Sequence, residues 1–206
     1  MKKVIIIFTL TILSLNLFAD SPITSTDFYN AYMDIPVVKN CKSGKLDKIT
    51  LAYLADNSNP LDVKLALINK IGWDRKSNYS KKYLNYIIKK NDFKNNSGFK
   101  YIAYLQSAKA EELICYAYLR SMDNYFFLDN APAIAITALK KSPESKAIQL
   151  ITSLIKAQVS FGLDDACYMY KPFKEFKENT MLKDDIKPEA VNIIYEYMDL
   201  YGINCK

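Results

Sequence analysis

Residues 142–155, SPESKAIQLITSLI, carry the pattern that decides the fold. Ser142 offers a helix-capping hydroxyl, and Pro143 has the fixed φ that suits a first helical position. Apolar side chains then recur at the helical spacing i, i+3, i+4, i+7 and i+8 from Ala147 to Ile155. The stretch therefore predicts an amphipathic helix that begins at residue 143 and packs one apolar face against other helices.

The same spacing recurs along most of the 206-residue chain, and no stretch of comparable length alternates as a strand would. Only five glycines are present for tight hairpins or phosphate-binding loops, which also favours helices. Proline, glycine and polar clusters divide the pattern into about nine segments. These segments are predicted helices near residues 25–34, 44–56, 60–72, 79–91, 98–121, 131–141, 143–160, 164–180 and 188–202.

The connections between these predicted helices are short, and short connections make antiparallel neighbours. The intervals between helix starts are uneven, and no known repeat motif recurs along the sequence. We therefore predict an all-α fold that is either an irregular helical array or a short α-solenoid-like stack of antiparallel helical hairpins.

The first 19 residues differ in composition from the rest of the protein. Lys2 and Lys3 precede an apolar run, and the small residue Ala19 ends the segment. This order is typical of a secretory signal peptide; the alternative is an uncleaved anchor, but the run is shorter than the roughly 20 residues of a spanning helix. We predict removal of residues 1–19, no stable membrane span afterwards, and a single helical domain over 20–206. The protein would be periplasmic or secreted, from a bacterium.

Composition excludes several kinds of site. The sequence has no histidine, which removes Ser-His-Asp relays, imidazole proton shuttles and zinc–histidine centres. Its net charge is +6 and falls to +4 when residues 1–19, with two lysines and no acid, are removed. So mild an excess does not indicate a nucleic-acid partner. We expect no cofactor and no metal ion.

Pairs of acids are the only catalytic candidates that remain. Glu175 and Glu178 lie one helical turn apart and could share a face, and three other pairs are adjacent in sequence. They occur at Glu111-Glu112, Asp164-Asp165 and Asp184-Asp185. Neighbours on a helix point about 100 degrees apart, so such a pair does not form a catalytic dyad by itself. The last two pairs are predicted to lie in the first turns of helices, where acids complement the helix dipole.

Four cysteines in an exported protein indicate disulfide chemistry. Cys167 lies near the start of one predicted helix and Cys205 just past the end of the next, so an antiparallel hairpin brings them together. Cys41 and Cys115 then pair with each other or stay free. The apolar neighbours of Cys115 equally suit an inert buried thiol.

Tyr125, Phe126 and Phe127 lie between two predicted helices, with polar residues on both sides. An aromatic cluster in a connection either plugs the core or forms an exposed contact patch. The sequence leaves both alternatives open.

These observations predict an exported, non-enzymatic module that binds another protein or an envelope polymer. One alternative is a carboxylate-dependent hydrolase of envelope polymers, which needs two acids converging on a cleft. Another is a carrier of a small molecule or lipid in an apolar cavity between helices. The geometry of any cleft that holds acids would distinguish the hydrolase from the binding module.

Overall fold

A computed structural model describes residues 21–74, 76–90, 97–161, 166–179, 181–203 and 205, and over residues 97–100 it describes the backbone alone. The predicted signal peptide lies outside these ranges. Within them the protein forms ten α-helices and one short 3-10 helix, with no strand. The prediction of an all-α fold with about nine helices is confirmed.

The elements follow one another with short connections. They are the 3-10 helix Phe28–Tyr32, α1 Pro36–Lys39, α2 Lys48–Leu54, α3 Leu61–Ile71, α4 Tyr79–Lys90, α5 Ser97–Ser107, α6 Ala110–Asp123, α7 Ala131–Lys141, α8 Lys146–Val159, α9 Cys167–Lys177 and α10 Pro188–Gly202.

Helix α8, predicted to begin at residue 143, begins three residues later. Ser145 is its N-cap, and the Ser145 hydroxyl accepts the backbone N–H of Ile148 at 3.1 Å. Ser142 and Pro143 therefore lie in the connection that precedes the helix. Both serines suit the cap by residue type, so the sequence did not distinguish them.

The long helix predicted over 98–121 is two helices, α5 and α6. The backbone leaves the helix at Ala108 and begins a new one after Lys109. The carboxylate of Glu112 accepts the backbone N–H of Lys109 at 3.1 Å, and this bond satisfies one of the donors that a helix start leaves unpaired. Glu112, the second residue of the acid pair Glu111-Glu112, thus stabilises the start of α6.

Helix α6 lies at the centre of the array. Its residues from Leu113 to Leu119 are all buried, and it contacts α3, α4, α7 and α8. The 3-10 helix contacts both α3 and α10, so the first and last elements of the fold meet. In a one-dimensional stack each unit contacts only its neighbours. Of the two architectures predicted, the irregular array is the one that fits these contacts.

Polar contacts fix the N-terminal segment to distant parts of the fold. The Ser21 hydroxyl donates to the amide oxygen of Gln158 on α8. The backbone N–H of Lys187 donates to the Tyr32 hydroxyl at 3.1 Å, and the Lys187 ammonium bonds the Asp34 carboxylate at 2.8 Å. Residues that follow the predicted signal peptide therefore belong to the folded body.

Cys167 and Cys205 form a disulfide with their Cα atoms 5.4 Å apart. The bond joins the first residue of α9 to the segment after α10, which supports the predicted pairing. Cys41 and Cys115 are free thiols; Cys41 is partly exposed, whereas Cys115 is fully buried on α6. Burial raises the pKa of the Cys115 thiol to about 12.

We expect the two free thiols to differ sharply in reactivity. The nucleophile is the thiolate, and burial raises the pKa of both thiols, that of Cys115 to about 12. Cys115 is also closed to solvent, whereas Cys41 is partly exposed and can be reached by a reagent. A thiol-reactive chromogenic disulfide should therefore modify Cys41 in the native protein and Cys115 only after unfolding. Absorbance gives the number of thiols, and peptide mass spectrometry locates them. Rapid modification of native Cys115 would contradict its burial.

Candidate functional site

The connection between α6 and α7, residues 124–130, presents two phenylalanines to solvent; we call it the aromatic loop. The side chain of Phe126 is 59% exposed and that of Phe127 is 71% exposed. The amide oxygen of Asn124 accepts the backbone N–H groups of both phenylalanines at 3.3 Å. Asp129 then takes a left-handed φ of 45°, which a short polar residue tolerates. The loop is thus held by its own turn chemistry.

Contacts with neighbouring helices anchor the aromatic loop. The carbonyl of Tyr125 accepts an amide N–H from the side chain of Gln158 on α8 at 3.1 Å. Asp129 pairs with Arg120 of α6 at 3.0 Å, and Leu128 is buried. Phe126 and Phe127 are therefore exposed on a loop that is firmly attached at both ends.

Trp73, the only tryptophan in the protein, extends this surface. It follows Gly72, whose positive φ of 73° ends α3 in a conformation that favours glycine. Trp73 is 47% exposed, and its ring packs edge-on against Tyr125 with centroids 5.0 Å apart. The ring of Tyr125 in turn packs against that of Phe126, with centroids 4.2 Å apart. We call Trp73, Tyr125, Phe126 and Phe127 the aromatic patch.

The members of the predicted cluster differ in burial. Tyr125 is partly buried and packs against the core, as a plug would. Phe126 and Phe127 lie outside the core, as a contact patch would. The sequence did not place Trp73 beside them, because that proximity depends on how α3 packs against α6.

Phe127 lines two pockets. The first has a volume of about 400 Å³; its walls include Phe126, Pro132 and Val159 together with the polar side chains of Asp129 and Gln158, and we call it the loop pocket. The second lies between α4 and α6, has a volume of about 360 Å³, and is called the polar pocket. Residues that line the polar pocket include Asn78, Ser80, Lys81, Leu84, Tyr116, Arg120, Asp123, Asn124 and Asp129.

Asp123, in the wall of the polar pocket, has its carboxylate fully engaged. One oxygen accepts the N–H of Tyr79 at 2.6 Å and the hydroxyl of Ser77 at 2.8 Å. The other accepts the N–H of Ser80 at 2.9 Å and its hydroxyl at 2.6 Å. Asp123 thereby caps the start of α4 from the end of α6.

Arg120 and Tyr116, which also line the polar pocket, differ in charge and hydrogen bonding. The Nε–H of Arg120 is buried and has no hydrogen-bond partner within the described part of the protein. Burial raises the pKa of Tyr116 to about 12, so its hydroxyl stays neutral near pH 7. The pocket therefore holds a neutral hydroxyl and a positively charged group with one unused donor.

A larger cleft lies where α3, α6, α8 and α10 begin, and its volume is about 840 Å³. Five carboxylates line it, so this is the place where a carboxylate-dependent hydrolase would have its site. They are those of Asp62, Glu111, Glu144, Asp184 and Asp185.

The acids around this cleft mostly serve structural contacts. Asp185 caps α8 by accepting the N–H of Ala147 at 2.9 Å. The prediction that it lies in the first turn of the next helix is wrong, because α10 begins at Pro188. Asp184 pairs with Lys146, and Glu144 pairs with Lys183. The hydrogen bond from Lys183 lowers the pKa of Glu144, whereas a general acid needs a raised pKa. The Asp164-Asp165 pair lies outside the described residues.

Metal-binding clusters and membrane-spanning helices are two further features that bear on function. No group of three or more cysteine and acidic side chains in the described ranges is arranged to hold a metal ion. None of the described helices has the length and apolar character needed to cross a membrane.

Comparisons with known proteins assign no family to this protein. No protein-family model matches it, and no match is found among curated proteins or solved structures. The function is therefore inferred from the geometry of the site itself.

Proposed function

We propose that this protein is an exported, non-enzymatic module that binds another protein through the aromatic patch. The proposal depends on one observation: Phe126 and Phe127 are exposed, side by side, on a loop that hydrogen bonds hold in place. Exposed apolar surface is unfavourable in water, and clustered aromatic side chains at a surface are typical of interaction sites. Because the loop is held before binding, little conformational entropy is lost on association.

A protein partner suits the patch better than an envelope polysaccharide. Sugars bind by stacking on aromatic rings together with several hydrogen bonds, and the two most exposed rings of the patch, Phe126 and Phe127, carry no hydrogen-bonding group. The Asn124 amide oxygen beside them already accepts two backbone N–H groups. In contrast, the centre of a protein–protein interface is usually an aromatic side chain that becomes buried when the partner binds.

Export is supported by the charged, apolar and small-residue order of residues 1–19. The Cys167–Cys205 disulfide is compatible with an oxidising compartment. The binding role is favoured over the hydrolase because three of the five carboxylates in the large cleft, those of Glu144, Asp184 and Asp185, are held by capping bonds and ion pairs. A hydrolase would have to use the other two, Asp62 and Glu111.

The double variant Phe126→Ser/Phe127→Ser is expected to lose partner binding. Removal of central aromatic anchors costs about 2 kcal/mol or more, which corresponds to a loss of about thirtyfold in affinity. The wild-type protein should capture a partner from an extract of the source organism, and the purified partner should then bind with an affinity that calorimetry can measure. The double variant should retain its melting temperature, because both side chains are exposed.

Ile49→Ser is the matched control. Ile49 is a large apolar side chain that is 78% exposed on α2, away from the aromatic loop in sequence. This control should bind the partner as the wild type does. Equal binding by the double variant and the wild type would show that the patch is not the interface.

A further inference from the structure

We infer that the predicted signal peptide is removed only before Ser21 and the residues after it have packed, so that folding closes the site of cleavage. The bond concerned joins Ala19 to Asp20, the boundary predicted from the sequence, and we call it the processing site. This inference rests on the export in the proposed function and does not depend on the aromatic patch. Cleavage and folding are then competing events.

A protease holds its substrate on both sides of the bond that it cuts. The chain there must leave its own hydrogen bonds and enter the enzyme in an extended form, so cleavage depends on how far the local backbone is buried and bonded. Because consecutive Cα atoms are about 3.8 Å apart, the processing site lies within about 6 Å of the Cα atom of Ser21. An enzyme that cuts this bond must therefore displace Ser21 as well.

Ser21 is bound into the folded protein in a form that a protease does not accept. Its side chain is fully buried, and its hydroxyl donates to the amide oxygen of Gln158 on α8. Its carbonyl accepts the backbone N–H groups of Thr24 at 3.1 Å and of Ser25 at 3.0 Å. These two bonds fold the backbone into a turn, whereas cleavage needs it extended.

The residues that follow hold Ser21 in place. Ile23 is fully buried, and its N–H donates to the same oxygen of Gln158 at 3.3 Å. Phe28 is also fully buried, and its ring stacks on that of Tyr118 in α6 with centroids 6.5 Å apart. Release of Ser21 would break both bonds to Gln158 and expose Ile23 to water, so the open form is a minor population.

Gln158 is a fixed partner for these residues. Its side chain is buried, and its amide nitrogen donates to the carbonyl of Tyr125 at 3.1 Å. The amide is thus held on one side by the aromatic loop while its oxygen accepts the bonds from Ser21 and Ile23. Proteolysis of a folded protein follows the population of its open form when opening is fast. The rate of cleavage therefore measures how tightly Gln158 holds Ser21.

The test compares cleavage of the full-length chain, residues 1–206, in two states. One sample is folded in a mild detergent, and the other is diluted from urea into the same detergent together with a bacterial signal peptidase. Intact mass measures the loss of residues 1–19 over time. We expect the initial rate for the folded sample to be at least about a hundredfold lower, because only its open form reacts.

Gln158→Ala removes the acceptor of Ser21 and Ile23 and leaves the sequence at the processing site unchanged. Loss of two hydrogen bonds should speed cleavage of the folded protein about tenfold. Gln149→Ala is the matched control, because Gln149 lies on the same helix but bonds to Asn179. It should be cleaved at the wild-type rate, and circular dichroism checks that both variants are folded.

A spacer tests whether the nearness of Ser21 is what protects the processing site. Ten residues of alternating Gly and Ser, inserted between Asp20 and Ser21, place the cut bond about 17 Å further from the folded protein on average. The folded protein with this spacer should be cleaved as fast as the unfolded one. Continued resistance would overturn the inference, because the packing of Ser21 would not be the cause of protection.

The remaining outcomes separate this inference from the proposed function. Equal rates for the folded and unfolded wild-type protein would overturn the inference and leave the proposed export intact. If the unfolded wild-type protein is not cleaved either, residues 1–19 are not a cleaved signal peptide, and the inference fails together with that part of the proposed function. Binding through the aromatic patch is decided separately, by the phenylalanine variants.

Discussion

Replacement of Asp123 by alanine is expected to lower the free energy of unfolding by about 3 kcal/mol. The carboxylate accepts four hydrogen bonds, and it ties the end of α6 to the start of α4. The backbone N–H groups of Tyr79 and Ser80 would lose their acceptor in a buried position. A capping residue alone contributes about 1 kcal/mol, and the link between two helices adds to this value.

Urea unfolding, followed by circular dichroism, measures this effect as a lower midpoint with an unchanged slope. Asp199→Ala is the matched control. Asp199 is exposed and forms an ion pair with Lys177, so its loss should cost no more than about 1 kcal/mol. Equal midpoints for the two variants would show that Asp123 contributes no more than an ordinary surface acid.

Removal of the disulfide, in the double variant Cys167→Ser/Cys205→Ser, is the second large expected effect. The bond closes a loop with a sequence separation of 38 residues. The chain-entropy treatment values a closure of this length at about 4 kcal/mol. This is a large part of the roughly 5–15 kcal/mol that separates folded from unfolded domains.

The variant should therefore melt at a lower temperature than the oxidised wild type. It should match the wild type once a reductant has opened the bond, and that comparison is the control. Non-reducing peptide mapping tests the pairing directly. A Cys41–Cys167 or Cys115–Cys205 linkage would contradict the α9–α10 hairpin, and four free thiols would also argue against export to an oxidising compartment.

Elements whose boundaries depend on local chemistry could be predicted from the sequence. Helix α10 begins at Pro188 as predicted, because proline suits the first helical position whatever surrounds it. The α9–α10 hairpin followed from the same local rules, and it led to the Cys167–Cys205 pairing.

The helix predicted over 25–34 shows why other elements could not be predicted. Only Phe28–Tyr32 is helical, as a 3-10 helix, although the apolar residues at both of its ends fit the spacing of an α-helix. The side chain of Asn69 on α3 accepts the N–H of Tyr29 at 2.9 Å and donates to the carbonyl of Thr26 at 3.0 Å. Contacts from a residue 40 positions away thus replace bonds that an α-helix would make within itself.

In the candidate site, too, features set by local sequence could be predicted, whereas features set by contacts between distant residues could not. The aromatic cluster at 125–127 was visible because it interrupts the helical pattern between polar residues. Its division into a partly buried Tyr125 and exposed Phe126 and Phe127 depends on Gln158, which comes from another helix. The unused donor of Arg120 has no signature in the sequence, because it results from which acceptors the packed helices bring within reach.

The attachment of the N-terminal segment to residues near the other end of the sequence has a consequence for the order of folding. Ser21 bonds to Gln158, 137 residues further on, and Tyr32 accepts a bond from Lys187, 155 residues further on. Contacts between residues so distant in sequence form slowly, because a long loop must close before they are made. Synthesis proceeds from the N-terminus, so Ser21 and Tyr32 are made well before Gln158 and Lys187, the residues to which they bond. The N-terminal segment therefore completes its contacts only once the residues at the start of α10 have been made.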